Sequence, residues 1–223
     1  MTSISTPEAV ELAYQGEYDG LCGVYAIINA IRLLCPELDE ATTKQLFKRL
    51  LATLDKRKND PVAPVWRGMR MPTLKRLAKE AGRFMRAEYG ISLKTRRWGR
   101  DKRKAITTLH LLWRGLGKEL SRQRVPIIGF GGRMQHWSVA QGLASKLVRL
   151  CVSMAMNAIR RKSCRLPRNG KGFDSARYLL FASQILFIER IRDKGGKACS
   201  GQVDAGWPLS MRQQHKTVEA GHA

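Results

Sequence analysis

A cysteine and a histidine far apart in the sequence are the residues best suited to do chemistry together. Cys22 follows the turn sequence Tyr18-Asp19-Gly20 and opens a segment that is almost wholly apolar as far as Leu34. A helix that is apolar on all sides lies inside a domain, and the field at a helix N-terminus favours the thiolate, which is the nucleophilic form. The pattern therefore predicts a nucleophilic thiol at the start of a buried helix. A small residue that fills a tight turn is the alternative.

The thiolate needs a base, and the chain has four histidines. Two of them lie in the polar C-terminal segment, and His110 lies in a predicted amphipathic helix, where a packing role is the simpler interpretation. His136 instead follows Gly131-Gly132 and opens the alternating segment 137–141, which is typical of a strand. A cysteine and a histidine that each begin a regular element are what a Cys–His hydrolase requires.

These motifs resemble those of the papain-like cysteine peptidase superfamily. Gln15, then Asp19-Gly20-Leu21-Cys22-Gly23 before an apolar helix, and later His136-Trp137, are most similar to the bacterial C39-like peptidases. The similarity of the cysteine motif to that of OTU-type deubiquitinases is weaker. The resemblance covers residues 10–190 in layout. It implies that Cys22 is the nucleophile and His136 the general base and acid. Gln15 and the backbone N–H of Cys22 would then form the oxyanion hole.

Two features depart from the family pattern. Gln15 lies seven residues before Cys22, one residue further than is common in the family. The Asn or Asp that orients the imidazole is expected about sixteen residues after the histidine, where this chain has Val152. Ser153 is adjacent, and Asn157 is a substitute if the chain bends it inward; otherwise the site is a dyad. Loss of the orienting group lowers the rate by orders of magnitude without abolishing the chemistry.

Composition sets the limits of the fold. The chain has 223 residues, 43% of them hydrophobic, enough for one core but not for two domains and a tail. Its five cysteines include no CxxC pair, so we expect neither a disulfide framework nor a zinc site, and no cofactor. No signal-peptide pattern or membrane-length apolar segment is present, which together with free thiols favours the cytoplasm.

The second strong feature is charge. The chain has 41 Lys and Arg against 18 Asp and Glu, a formal net charge of +23. The densest basic segment, residues 96–104, holds one aromatic residue, Trp98, and has the charge to contact phosphates. A solvated basic loop, or a patch that fits an acidic protein partner, is the favoured interpretation. Non-specific binding of nucleic acid is the alternative, and the oligomeric state is not encoded in any motif.

The order of predicted elements is that of an α+β fold, with helices first and an antiparallel sheet after them. We predict helices over residues 6–14, 22–34, 40–54, 71–81 and 106–123, the last interrupted at Gly115 and Gly117 and the fourth ending at Gly82. We predict strands over residues 87–97, 125–130, 137–141, 146–152 and 184–190. The expected architecture is a papain-like domain over residues 1–191, in which the buried helix starts at Cys22 and the sheet carries His136. A disordered tail is expected over residues 192–223.

Three classes of function follow. The first is a cysteine hydrolase that acts on a protein or peptide, with acidic segments favoured, through a thioester on Cys22. Proteolysis, isopeptide cleavage, glutamine deamidation and transglutamination share this constellation. The second class is a basic protein associated with nucleic acid. The third is a catalytically weakened papain-like interaction module, which Val152 at the orienting position favours.

Overall fold

The computed structural model describes residues 20–55, 69–98, 108–131, 136–143, 147–152, 155–166 and 178–191. All of them belong to one compact unit that spans Leu12–Arg192. The unit is α+β, as predicted, with helices packed on a largely antiparallel sheet. The predictions for residues 6–14, Gln15 and the tail over 192–223 lie outside the described residues.

The helices of the described part of the chain are α1 (Cys22–Leu34), α2 (Glu40–Asp55), α3 (Met71–Tyr89) and α4 (Leu109–Leu120). The first is buried along most of its length, as its continuous apolar sequence predicts. It stops at Cys35, immediately before Pro36, because the residue before a proline disfavours helical backbone. The start of α1 at Cys22 confirms the predicted position of the cysteine within its helix.

Three glycines were expected to end or interrupt helices, and none of them does. α3 continues through Gly82, where an added Cβ would meet only Leu93 at ordinary contact distance, 3.7 Å or more. It ends at Gly90, whose φ of 65° is the left-handed cap conformation, so the strand predicted from residue 87 begins later. α4 passes through both Gly115 and Gly117. A Cβ on Gly115 would lie 2.5 Å from the Trp98 ring, so this glycine lets the indole pack against the helix.

Within the described residues the sheet has seven strands in the order β1-β7-β2-β3-β4-β5, with β6 beside β7. They are β1 (Ser92–Arg97), β2 (Arg124–Gly131), β3 (His136–Leu143), β4 (Leu147–Val152), β5 (Ala155–Arg160), β6 (Cys164–Arg165) and β7 (Tyr178–Ile191). Of these described strands, only the short β6 pairs in parallel. The sequence did not predict β5, whose residues AMNAIR have weak strand preference; it forms a strand because it pairs with β4 along its whole length.

Helices cover both faces of the central strands. α4 packs on one face, where Trp113 joins a buried cluster with Ile128 and Phe130 of β2 and Phe187 of β7. Alternate residues of β2 point the other way and are also buried. α1 packs on β3 and β2 and contacts α2 and α3. The helix that begins with the cysteine therefore lies against the strand that begins with the histidine.

Candidate active site

Cys22 is the first residue of α1. The carbonyl oxygen of Leu21 accepts from the amides of Val24 at 2.7 Å and Tyr25 at 3.2 Å, which fixes the start of the helix at the cysteine. The first turn contains no acidic residue, and the N-cap makes no side-chain hydrogen bond. The positive field of the helix N-terminus is therefore not offset by a carboxylate within that turn. The thiol is 6% exposed, and its Sγ lies 3.9 Å from the carbonyl oxygen of Gly20.

Met69 connects the start of α1 to the start of β3. A Cβ built on Gly23 would lie 3.0 Å from the Met69 methyl group, so the helix and this side chain pack as closely as a glycine permits. The backbone oxygen of the same methionine accepts a hydrogen bond of 2.7 Å from the indole Nε1 of Trp137. Cys22 precedes Gly23 and His136 precedes Trp137, so both predicted catalytic residues adjoin a residue that contacts Met69.

His136 is partly buried and pairs across the sheet with Phe130. Directly paired residues share a face, and Phe130 belongs to the cluster beneath α4. Trp137, the next residue, points to the opposite face, where it reaches Met69. His136 is the first residue of β3, and the pleat places its imidazole on the same face of the sheet as Phe130. The imidazole and the contact of Trp137 with Met69 beside α1 therefore lie on opposite faces of β3.

The orienting role suggested for Asn157 finds no support in the strand register. Asn157 pairs with Leu150, which pairs with Ala140. Asn157 is therefore two strands away from β3 and level with a residue four positions beyond His136. With about 3.3 Å per residue and about 4.8 Å between strands, the two Cα atoms are roughly 16 Å apart. That distance is beyond side-chain hydrogen bonding. Val152 pairs with Ala155 in the β4–β5 hairpin.

Gln15 and Ser153 lie outside the described residues, so their predicted roles stay predictions. The arrangement that the structure describes is a cysteine and a histidine at the starts of two packed elements, without Asn157. Among the described residues, no three His, Cys, Asp or Glu side chains converge on a possible metal position.

A bulge in β7 brings a polar side chain to this end of the sheet. Pairing of β2 with β7 jumps from Ile128–Ile185 to Phe130–Leu180, so four residues of β7 face Gly129 alone. A Cβ on Gly129 would lie 2.7 Å from the Trp137 ring and 2.8 Å from Oε1 of Gln184. Glycine inside the strand sequence is the signal for such a close approach. No sequence signal predicts the bulge, and Gln184 was missed as a neighbour of the site.

Two other described cysteines are unsuited to nucleophilic chemistry. Burial raises the pKa of the Cys35 thiol to about 12, although Arg190 acts in the opposite direction. Burial also raises the pKa of the Cys164 thiol to about 12, against a smaller effect of Arg165. Both therefore remain protonated at neutral pH and react slowly, because the thiolate is the reactive form.

A groove of about 520 Å³ lies between α2 and α3, away from the two predicted catalytic residues. Lys48, Arg49 and Arg83 line it. Glu80 accepts from Arg49 at 2.8 Å and from Arg83 at 2.5 Å, so its carboxylate compensates part of this charge. Burial raises the pKa of Glu80, but the two arginine hydrogen bonds outweigh it, and the pKa lies below its ordinary value. The groove contains neither Cys22 nor His136.

No family model, curated protein or solved structure matches the chain. The resemblance to papain-like peptidases therefore stays a prediction from the residues of the two sequence motifs. Within the described ranges, no helix combines the length and the apolar character needed to cross a membrane.

Proposed function

We propose that the chain is a cysteine-dependent hydrolase that acts on a protein or peptide through a thioester on Cys22. The observation that carries the proposal is the link through Met69, which contacts Gly23 and binds the indole of Trp137. The residues before these two contacts are the cysteine and the histidine of the motif. α1, which begins with the cysteine, also packs on β3, which begins with the histidine.

The chemistry requires four steps. The imidazole of His136 takes the thiol proton, and Sγ of Cys22 bonds to the carbonyl carbon of the substrate while the carbonyl π electrons move to oxygen. The backbone N–H of Cys22, at the helix start, faces the developing oxyanion. The intermediate collapses, and the imidazolium gives its proton to the leaving amine. Water, deprotonated by the imidazole, then cleaves the thioester and restores the thiol.

The test compares alkylation of individual cysteines by iodoacetamide at pH 6, with peptides resolved by mass spectrometry. The proposed pairing with His136 ionises Cys22 to a much larger fraction at this pH than an ordinary thiol of pKa about 8.5, which is about 0.3% ionised. The weaker nucleophilicity of the more acidic thiolate cancels roughly a tenfold part of that difference. We therefore expect Cys22 to react about tenfold faster than an ordinary thiol, and far faster than Cys35 or Cys164.

The matched variants are His136→Asn and His110→Asn, because His110 is exposed on α4. His136→Asn should reduce the alkylation rate of Cys22 about tenfold, and His110→Asn should leave it unchanged, with the far-ultraviolet circular dichroism of both preserved. An equal rate in wild type and His136→Asn would eliminate the proposed pair.

A further inference from the structure

Arg161 is a partly buried cation at the end of β5. It opens the 3-10 helix Arg161–Ser163, and its guanidinium carbon lies 5.8 Å from the centre of the Trp113 ring. Trp113 is 6% exposed and belongs to the buried cluster beneath α4. The Nε of Arg161 is buried, and none of the described residues accepts a hydrogen bond from it. The guanidinium thus packs against the core at Trp113 and its Nε is enclosed.

No described residue supplies a counter-charge to Arg161. Burial lowers the pKa of its guanidinium, and no charged neighbour contributes to that shift. Arg124, by contrast, is also partly buried but binds both Glu119 and Glu189. A charge removed from water without a partner is costly. An anion that compensates the charge of Arg161 is therefore not among the described residues.

The neighbouring residues indicate the charge of that anion. Arg160 and Arg165 are both exposed and lie within four positions of Arg161. One carboxylate would compensate a single guanidinium, whereas a phosphate carries up to two charges and three acceptor oxygens. Guanidinium binds phosphate through two parallel N–H groups, and the Nη edge has this geometry.

We propose that Arg161 is the centre of a phosphate-binding site, in which its two Nη groups donate to two phosphate oxygens while Trp113 supports the guanidinium from behind. The ligand is a free phosphate compound or a phosphodiester of nucleic acid, since both present these oxygens. The site is independent of the proposed chemistry at Cys22, and the failure of either proposal leaves the other intact.

The experiment measures thermal unfolding of the full chain with increasing inorganic phosphate or pyrophosphate, against sodium chloride of equal ionic strength. A parallel titration follows the fluorescence anisotropy of a labelled 20-nucleotide single strand. A ligand at about 100 times its Kd raises Tm by roughly 5–10 °C in a domain of this size. Arg161→Met should weaken binding at least tenfold, whereas Arg122→Met, which removes the same charge at an exposed arginine beyond the end of α4, should weaken it less than threefold.

If Arg161→Met selectively weakens the binding of phosphate or pyrophosphate, the ligand is a free phosphate compound. Selective loss with the oligonucleotide alone identifies the phosphodiester. Equal losses in the two Met variants would overturn the site in favour of diffuse attraction to the +23 charge, and so would the absence of binding to all three probes. Arg161→Lys keeps the charge but loses the planar fork. It should weaken binding at least threefold, and wild-type affinity in this variant would also overturn the proposal.

Discussion

Replacing Gly129 by alanine should disturb the end of the sheet where the candidate site lies. The new Cβ would stand 2.7 Å from the Trp137 ring and 2.8 Å from Oε1 of Gln184, closer than nonbonded carbon atoms approach. The ring has little freedom to yield, because its Nε1 is held at 2.7 Å by the backbone oxygen of Met69. Either the indole leaves this hydrogen bond or the strands separate locally.

The expected loss of stability follows from three contributions. Overpacking of this kind costs about 1–3 kcal/mol, and loss of the indole hydrogen bond costs about 1 kcal/mol. Alanine lowers the conformational entropy of the unfolded chain, which raises the free energy of unfolding by about 0.5–1 kcal/mol. We therefore expect Gly129→Ala to lower the free energy of unfolding by about 1–3 kcal/mol, or Tm by roughly 2–12 °C. Urea titration followed by circular dichroism measures it.

Gly142→Ala is the matched control, because Gly142 lies in β3 and an added Cβ there meets no atom of the described residues within 4 Å. This variant should be as stable as wild type or more stable by about 0.5 kcal/mol. Combining Gly129→Ala with Trp137→Phe removes the outer ring atoms that clash, so the double variant should lose about 1 kcal/mol less than the sum of the single losses. Equal stabilities of Gly129→Ala and Gly142→Ala would refute the reasoning.

Three further predictions concern other parts of the fold. Burial raises the pKa of Glu119, but hydrogen bonds from two arginines outweigh the effect of burial and hold the pKa below its ordinary value. The ionised carboxylate therefore stabilises the fold at neutral pH, and this stability is lost as the pH falls through the lowered pKa. Glu119→Gln should thus lower the free energy of unfolding by about 1–2 kcal/mol at pH 7, and the urea curves of variant and wild type should converge in acid. Cys35 and Cys164, whose thiol pKa values are about 12, should stay unmodified by iodoacetamide at pH 8 until urea unfolds the chain; modification of the native protein at the rate of a free thiol would contradict their burial. Gly90→Ala should destabilise the protein by about 1 kcal/mol, because φ of Gly90 is 65°. Gly82→Ala inside α3 should stabilise the protein by about 0.5–1 kcal/mol. A higher Tm for Gly90→Ala than for Gly82→Ala would disprove the assigned end of the helix.

Local sequence patterns predicted the elements that carry their own signals. The apolar segment after Cys22 predicts a buried helix at its observed start, and the alternation after His136 predicts β3. Where the outcome depends on distant residues, local patterns failed. Gly82 resembles a helix end, yet α3 continues because the next residues remain amphipathic and Gly90 takes the cap conformation. β5 forms because β4 offers it a partner.

In the candidate site too, local patterns predicted some features, and others depend on contacts between distant residues. Sequence placed Cys22 and His136 at the starts of their elements, because turns and periodicity mark those starts. Sequence spacing could not test Asn157, since the distance between two strands depends on register; only the pairing through Leu150 places it level with Ala140. Met69 carried no signal at all, because its role depends on which helix and strand meet around it.

The distribution of acidic residues explains why one arginine stands out on so basic a chain. With 41 cations and 18 acids, most basic side chains must be solvated rather than paired, and water compensates those that are exposed. Partly buried cations lack that compensation by water, and two carboxylates compensate the charge of Arg124 instead. Arg161 has neither full solvation nor a described carboxylate. Replacing it with methionine should therefore leave Tm unchanged or raise it when phosphate is absent, because the variant removes an uncompensated charge and keeps the contact with Trp113.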